Sequence, residues 1–170
     1  KLANPAYDGL EIALTHLSYK IMKDLGLVDL IPADGISQIR DAKVFNGNSP
    51  YSLHFSHTEA GENNLGFMVS NHLIRKAAYD SIKSCPQIHL YTKAEVSAVE
   101  TDNVRGKITL TNGNILTTRL VVAADSRFSP SRKMMGISAS MLDFGRTCIV
   151  CRMESKQHHD ETAYECFHYD

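Results

Sequence analysis

Apolar positions along the chain change period several times, and each change marks an element. From Ala13 onward Leu14, Leu17, Ile21, Met22 and Leu25 recur at helical spacing, and Gly26 stands where a left-handed C-terminal cap belongs. This predicts an amphipathic helix. Beyond a polar stretch around Asp34-Gly35, the runs Ile39 to Phe45 and Tyr51 to Phe55 alternate and carry aromatics, as antiparallel strands do. Asn46-Gly47-Asn48-Ser49-Pro50 joins them as a turn, and Glu59 to Asn64 is a second polar loop. Gly66 to Val69 predicts another strand, which passes directly into a helix with a buried stripe of Leu73, Ile74, Ala77, Ala78 and Ile82. Either Ser70 or Asn71 can cap that helix, and Pro86 ends it.

The second half of the chain reads as strands and turns. Ile88 to Tyr91 predicts a strand, Ala94 to Glu100 and Gly106 to Thr111 predict two more, and Asn112-Gly113 is a strong hairpin signal. Leu120 to Ala124 is apolar without alternation, the pattern of a parallel strand buried on both faces. Hairpin signals cluster at 39–69 and again at 144–168. The expectation is therefore an α/β fold, α+β in part, with helices and the 120–124 strand in one lobe and an antiparallel sheet in the other.

Composition narrows the class of ligand. With 170 residues and 43% hydrophobic content the chain can build a core, and 18 basic against 19 acidic residues gives no pull toward nucleic acid. Small or neutral ligands are expected. Four cysteines are too few for a disulfide scaffold of this length, which suggests a reducing, cytoplasmic setting. No apolar run approaches the roughly 18 residues that span a bilayer, which leaves peripheral attachment to a membrane surface open. Lys1 stands where an initiator methionine would, and the final strand-like residues to Asp170 lack a following turn, so the chain reads as an internal piece.

Candidate chemistry concentrates at the end of the last apolar run. Asp125 follows Ala124 at the carboxyl end of the expected strand, which is where ligands lie in open α/β sheets. Its carboxylate can accept from a ribose hydroxyl, an amide or water. Arg127 and Arg132 supply charge for a phosphate, and Ser129 before Pro130 can cap a helix start. A capped junction with solvated arginines explains the same residues. Cys148-Ile149-Val150-Cys151, with His158, His159 and the pair Cys166 and His168 nearby, has the spacing of a zinc knuckle. On a strand, however, residues three apart point to opposite faces, so these cysteines read as small hydrophobes and no metal ligand set is assigned. The histidines suggest no triad.

The segment Leu120 to Ile137 resembles a fingerprint of the FAD-dependent aromatic-ring hydroxylases, the Asp-Gly motif flanked by Ser and Arg that contacts both FAD and NAD(P)H. Here the pair is Asp125-Ser126, and Arg127-Phe128-Ser129 and Arg132 follow. Two further segments are similar to the ubiquinone-biosynthesis hydroxylases of that family, in the same order. Asp8-Gly9-Leu10-Glu11-Ile12-Ala13-Leu14-Thr15, with the helix ending Leu25-Gly26, resembles their flavin-contacting loop and first helix. Gly66 to Arg75 resembles the passage from strand to helix after their substrate hairpins. Leu10 stands where the family usually carries arginine, and Ser126 where it usually carries glycine. The family's amino-terminal Gly-x-Gly-x-x-Gly turn and later Gly-Asp motif do not occur in these residues.

The resemblance implies part of a Rossmann-like FAD-binding domain in 1–35 and 69–138, and part of a β-sheet substrate domain in 36–68 and 139–170. It implies an FAD- and NAD(P)H-dependent monooxygenase that hydroxylates a prenylated phenol in ubiquinone biosynthesis, the chain itself holding too little of the cofactor site to turn over. By family position Arg75 lies near the flavin, Val96 makes backbone contacts near the adenine, and Asp125, Ser126 and Arg127 act at the pyrophosphate or the pyridine nucleotide. No catalytic nucleophile or acid–base pair is implied, since the cofactor carries the chemistry. Two other functions fit the residues alone: a non-redox nucleotide- or ligand-binding module, and a small Cys/His metal-binding interaction domain.

Overall fold

A computed structural model describes residues 2–147 and 156–168. Contacts divide the chain into two compact units, Lys1–Ile88 with Cys148–Asp170, and His89–Thr147.

The first unit contains two sheets and two helices. Strand β1 (Glu11–Leu14) leads into helix α1 (His16–Asp24), whose start is fixed by Thr15 Oγ1 accepting from the Ser18 N–H at 3.2 Å. Gly26 at φ +71 turns the chain out of the helix in the left-handed conformation that glycine adopts freely. Two single-turn helices, Val28–Leu30 and Ala33–Gly35, follow. Strands β2 (Ile36–Ile39), β3 (Asp41–Asn46), β4 (Ser52–Ser56) and β5 (Gly66–Ser70) come next, then helix α2 (Asn71–Lys83). One sheet has the order β1-β5-β2, antiparallel throughout, with Ile12 and Ile36 both opposite Val69. Its inner face holds the core: Ile31, Val69 and Ala77 are buried, and Leu14, Met22, Leu27, Ile36, Leu73 and Ile74 pack around them.

The expected strand from Ile39 to Phe45 is therefore two strands with a break at Arg40. Arg40 leaves the first sheet, its N–H donating to Glu161 O at 2.9 Å, and the chain continues into a second sheet of order β4-β3-β9. Strand β9 (Thr162–Phe167) pairs with β3 in parallel, from Asp41 opposite Thr162 to Asn46 opposite Phe167. That pairing departs from the antiparallel expectation, and its two strands are joined by most of the chain. Neither anticipated cap on α2 forms. Ser70 occupies the cap position without a side-chain bond to the helix, because its hydroxyl donates to Glu11, and Asn71 Nδ2 donates to Asp8 Oδ2 at 2.6 Å.

The second unit is a three-stranded antiparallel sheet with one short helix. Strands β6 (Val96–Thr101), β7 (Gly106–Leu110) and β8 (Ile115–Thr118) form two hairpins, with Val99 and Leu110 buried. Asn112-Gly113 makes the second turn as its sequence demands: Gly113 sits at φ +85 and Asn112 Oδ1 accepts from the Asn114 N–H at 3.0 Å. Helix α3 (Pro130–Met134) packs on β6.

Two expected strands are absent. Ile88 to Tyr91 is irregular, with Ile88, Leu90 and Tyr91 half or more exposed. Leu120 to Ala124 is also irregular, and Leu120 and Val122 are 75% and 76% exposed. A parallel strand needs hydrogen-bonding neighbours and cover on both faces, and no described strand pairs with either run. Among the described residues, no helix is long and apolar enough to cross a membrane.

Candidate functional site

In the second unit the candidate site is a loop organised by one carboxylate. Asp125 Oδ1 accepts from Ser129 Oγ, and Asp125 Oδ2 accepts from the Ser131 N–H at 2.8 Å. Ser129 in turn caps α3, accepting from the Arg132 N–H at 3.1 Å, and is itself buried. The Ser129 hydroxyl, then the Ser131 backbone N–H, stabilise the anion and hold the Asp125 carboxyl down to about 2. Asp125 is thus first an organiser of its own turn. Its lone pairs are directed first to donors of its own turn, Ser129 and Ser131.

What the loop presents outward is residues 126–128. Ser126 lies at φ +83, in the left-handed region that favours glycine. Close to it the Arg127 guanidinium sits 4.6 Å from the centre of the Phe128 ring, a cation–π contact that gives the charge a preferred direction. Arg132 Nη1 donates to Ile137 O, three residues beyond the end of α3, one of the five N–H donors of its guanidinium. Val96 lies on β6 opposite Leu110, and the register shifts just after it to Ala98 opposite Thr109. Ser97 fills the irregularity by donating to Thr109 O at 3.0 Å.

In the first unit Arg75 belongs to a polar knot that sequence reading did not assemble. Its Nη1 lies 3.9 Å from Asp8 Oδ2, the oxygen that also accepts from Asn71 Nδ2. Asp8 Oδ1 accepts from the Leu10 N–H at 3.2 Å, and Leu10 O accepts from the Asn71 N–H at 2.9 Å. The Asn71 amide, the Leu10 N–H and, more weakly, the Arg75 charge hold the Asp8 carboxyl below its ordinary value. Residues 8–10, with Gly9 at φ +73, are thereby tied to the first turn of α2. Asp8 and Asn71 are 63 residues apart. The only local hint was an Asp-Gly turn before one strand and an Asn at the start of a helix.

Behind that knot the outer face of the β1-β5-β2 sheet borders a cavity of about 630 Å³, lined among others by Glu11, Ser37, Met68, Ser70 and His72. The volume falls in the range usual for small-molecule sites. Cys148 and Cys151 lie outside the described residues. Among the described residues no three His, Cys, Asp or Glu side chains gather as a metal site.

No family model matches the sequence. Relatives do. Ubiquinone hydroxylase UbiM of Neisseria meningitidis serogroup C / serotype 2a is 51% identical over 172 aligned positions, covering 99% of this chain. Ubiquinone hydroxylase UbiL of Rhodospirillum rubrum is 34% identical over 161, covering 95%. The chain spans about 37% of the length of each. Among solved structures, a probable FAD-dependent monooxygenase from Pseudomonas aeruginosa superimposes with a TM-score of 0.66 at 16% identity. That match covers 83% of this chain and 39% of the other, and shows a shared fold. Over the portion of those relatives that it spans, this chain is similar in sequence to two ubiquinone hydroxylases and shares its fold with a probable FAD-dependent monooxygenase.

Proposed function

We propose that the intact protein is a flavin monooxygenase that uses FAD and NAD(P)H to hydroxylate a prenylated phenol on the route to ubiquinone. The observation that carries this reading is 51% identity to a ubiquinone hydroxylase across 99% of the chain. Bound FAD supplies the redox chemistry, accepting electrons from the nicotinamide and activating oxygen.

The residues do the holding. Asp125 fixes the turn on which Ser126 and Arg127 are displayed, and Arg127 meets a phosphate or pyridine-nucleotide charge. The fit is supported by the geometry of the turn, since Asp125 satisfies Ser129 and Ser131 and leaves the Arg127 guanidinium outside that network. Arg75, braced by Asp8, lies beside the 8–10 loop and contributes to the flavin site; Val96 offers backbone groups to the adenine. Leu10 replaces the family's arginine, and Arg75, ion-paired with Asp8, brings a cation to the loop that the resemblance assigns to the flavin. We assign 1–35 and 69–138 to cofactor binding and 36–68 and 139–170 to substrate binding. A cytoplasmic protein, attached peripherally to the membrane that holds its prenylated substrate, suits this role.

The intact protein, purified without added cofactor, is expected to show the visible absorbance bands of bound flavin. Arg75→Ala is expected to weaken FAD retention about tenfold, the size of one charge-assisted hydrogen bond of about 1.5 kcal/mol. A colourless protein that takes up no FAD would remove the proposal.

A further inference from the structure

The turn that joins β6 to β7 is closed by one side chain. Asp102 Oδ1 accepts from the Val104 and Arg105 N–H groups, both at 2.7 Å, and the Asp102 N–H donates to Arg105 O at 3.0 Å. Gly106 follows, opposite Thr101 on one side and Thr118 on the other, and it is buried. A Cβ there would meet Val121 Cγ2 at 2.5 Å, so the absence of a side chain lets residues 119–121 lie against the end of the hairpin.

Between these two stretches of chain is a cavity of about 250 Å³, lined among others by Thr101, Asn103, Arg105, Arg119 and Met135. Two guanidiniums from separate segments thus border one space. Neither has an ion pair or a hydrogen bond among the described residues. The neighbouring cation differs: Lys107 Nζ is held by Glu100 at 3.1 Å. Asp102 is the one carboxylate in the lining. The Arg105 and Val104 backbone N–H groups hold it below its ordinary value, and it pairs with neither guanidinium.

We infer that this cavity is a phosphate-binding site, in which Arg105 and Arg119 together hold one phosphate group. Each arginine offers a planar fork of donors that matches phosphate oxygens, and the Thr101 hydroxyl and Asn103 amide bring neutral donors to the same space. The volume lies below the roughly 300 Å³ at which sites for drug-sized ligands begin, which suits a single small anion. The site is separate from the segment that resembles a hydroxylase fingerprint, since Arg119 and Asp125 stand at opposite ends of the 120–124 run. A soluble phosphate ester and the headgroup of an anionic phospholipid share the chemistry that this site recognises.

The test titrates inorganic phosphate into the intact protein, with FAD present in excess, and follows binding by phosphorus NMR. Saturable binding is expected. Arg105→Gln and Arg119→Gln are each expected to weaken it about tenfold, the worth of one hydrogen bond to a charged group. Both positions are exposed, and circular dichroism checks that the variants fold. Lys107→Gln removes a cation already paired and is expected to leave the affinity unchanged. No saturable binding overturns the inference, as does an unaltered affinity in both folded arginine variants. An equal loss in all three variants also overturns it, because that is the mark of general charge attraction. Cosedimentation with phosphatidylglycerol vesicles but not phosphatidylcholine vesicles, lost in Arg119→Gln, assigns the phosphate to a lipid headgroup. Phosphate binding without vesicle binding assigns it to a soluble ester.

Discussion

Ser126 and Asp125 show how much of a loop's behaviour is decided by single side chains. Ser126 carries a Cβ at φ +83, a conformation that costs an L-residue about 1 to 2 kcal/mol relative to glycine. Ser126→Gly is therefore expected to stabilise the protein by about 1 kcal/mol after the glycine's greater unfolded-state entropy is deducted, read as a higher denaturant midpoint. A lower midpoint would mean that the serine side chain holds something the turn needs. Asp125 gives a pH signature. Its folded pKa is held at about 2 against an ordinary 3.8, so its stabilising effect is fully present above pH 3.8 and is lost as pH falls toward 2. Carboxyl-carbon NMR should show it titrating far below the exposed aspartates, and an ordinary midpoint would contradict the two hydrogen bonds. These residues were legible in the sequence because Asp125, Ser129 and Ser131 lie within six positions of one another. The bracing of Arg75 by Asp8 was not, because nothing local pairs residues so far apart. For Arg132 the charge was visible in the sequence, but its hydrogen bond to Ile137 O was not.

Among the elements, those set by local chemistry matched their sequence signals. The α1 helix with its Gly26 cap, the α2 helix from Asn71 to Lys83 and the Asn112-Gly113 hairpin each follow from residues next to one another. Elements that depend on distant partners did not. The break at Arg40 and the parallel seat of β9 on β3 arise from pairing across the chain, and the apolar runs at Ile88 and Leu120 pair with no strand among the described residues. Gly66 tests the sheet most sharply. A Cβ there would meet Leu14 O at 2.4 Å, in the backbone of the neighbouring strand, where no rotamer change can relieve it. Gly66→Ala is expected to destabilise by about 1 to 3 kcal/mol, as overpacking against a fixed neighbour does. Thermal unfolding of the variant measures this, and an unchanged transition would show that β1 and β5 are looser than described.

For the molecule as a whole, the exposed apolar runs and the partial span of the relatives fit together. Leu120 and Val122 are three-quarters exposed, in the segment that resembles a hydroxylase fingerprint, and the relatives are nearly three times as long as the part matched here. An apolar run with the composition of a central parallel strand, paired with no strand among the described residues, is a place where more of a sheet is expected to sit. The loop at Asp125 and the knot at Arg75 are each formed within a single unit. The activity proposed for the intact protein is oxygen transfer to a phenol. The most direct measurement supplies the intact protein with FAD, NAD(P)H, a prenylated phenol and isotopically heavy oxygen gas. Phenol-dependent oxidation of the nicotinamide and a product ring carrying one heavy oxygen atom are expected. Nicotinamide oxidation that phenol does not accelerate, with no labelled product, would contradict it.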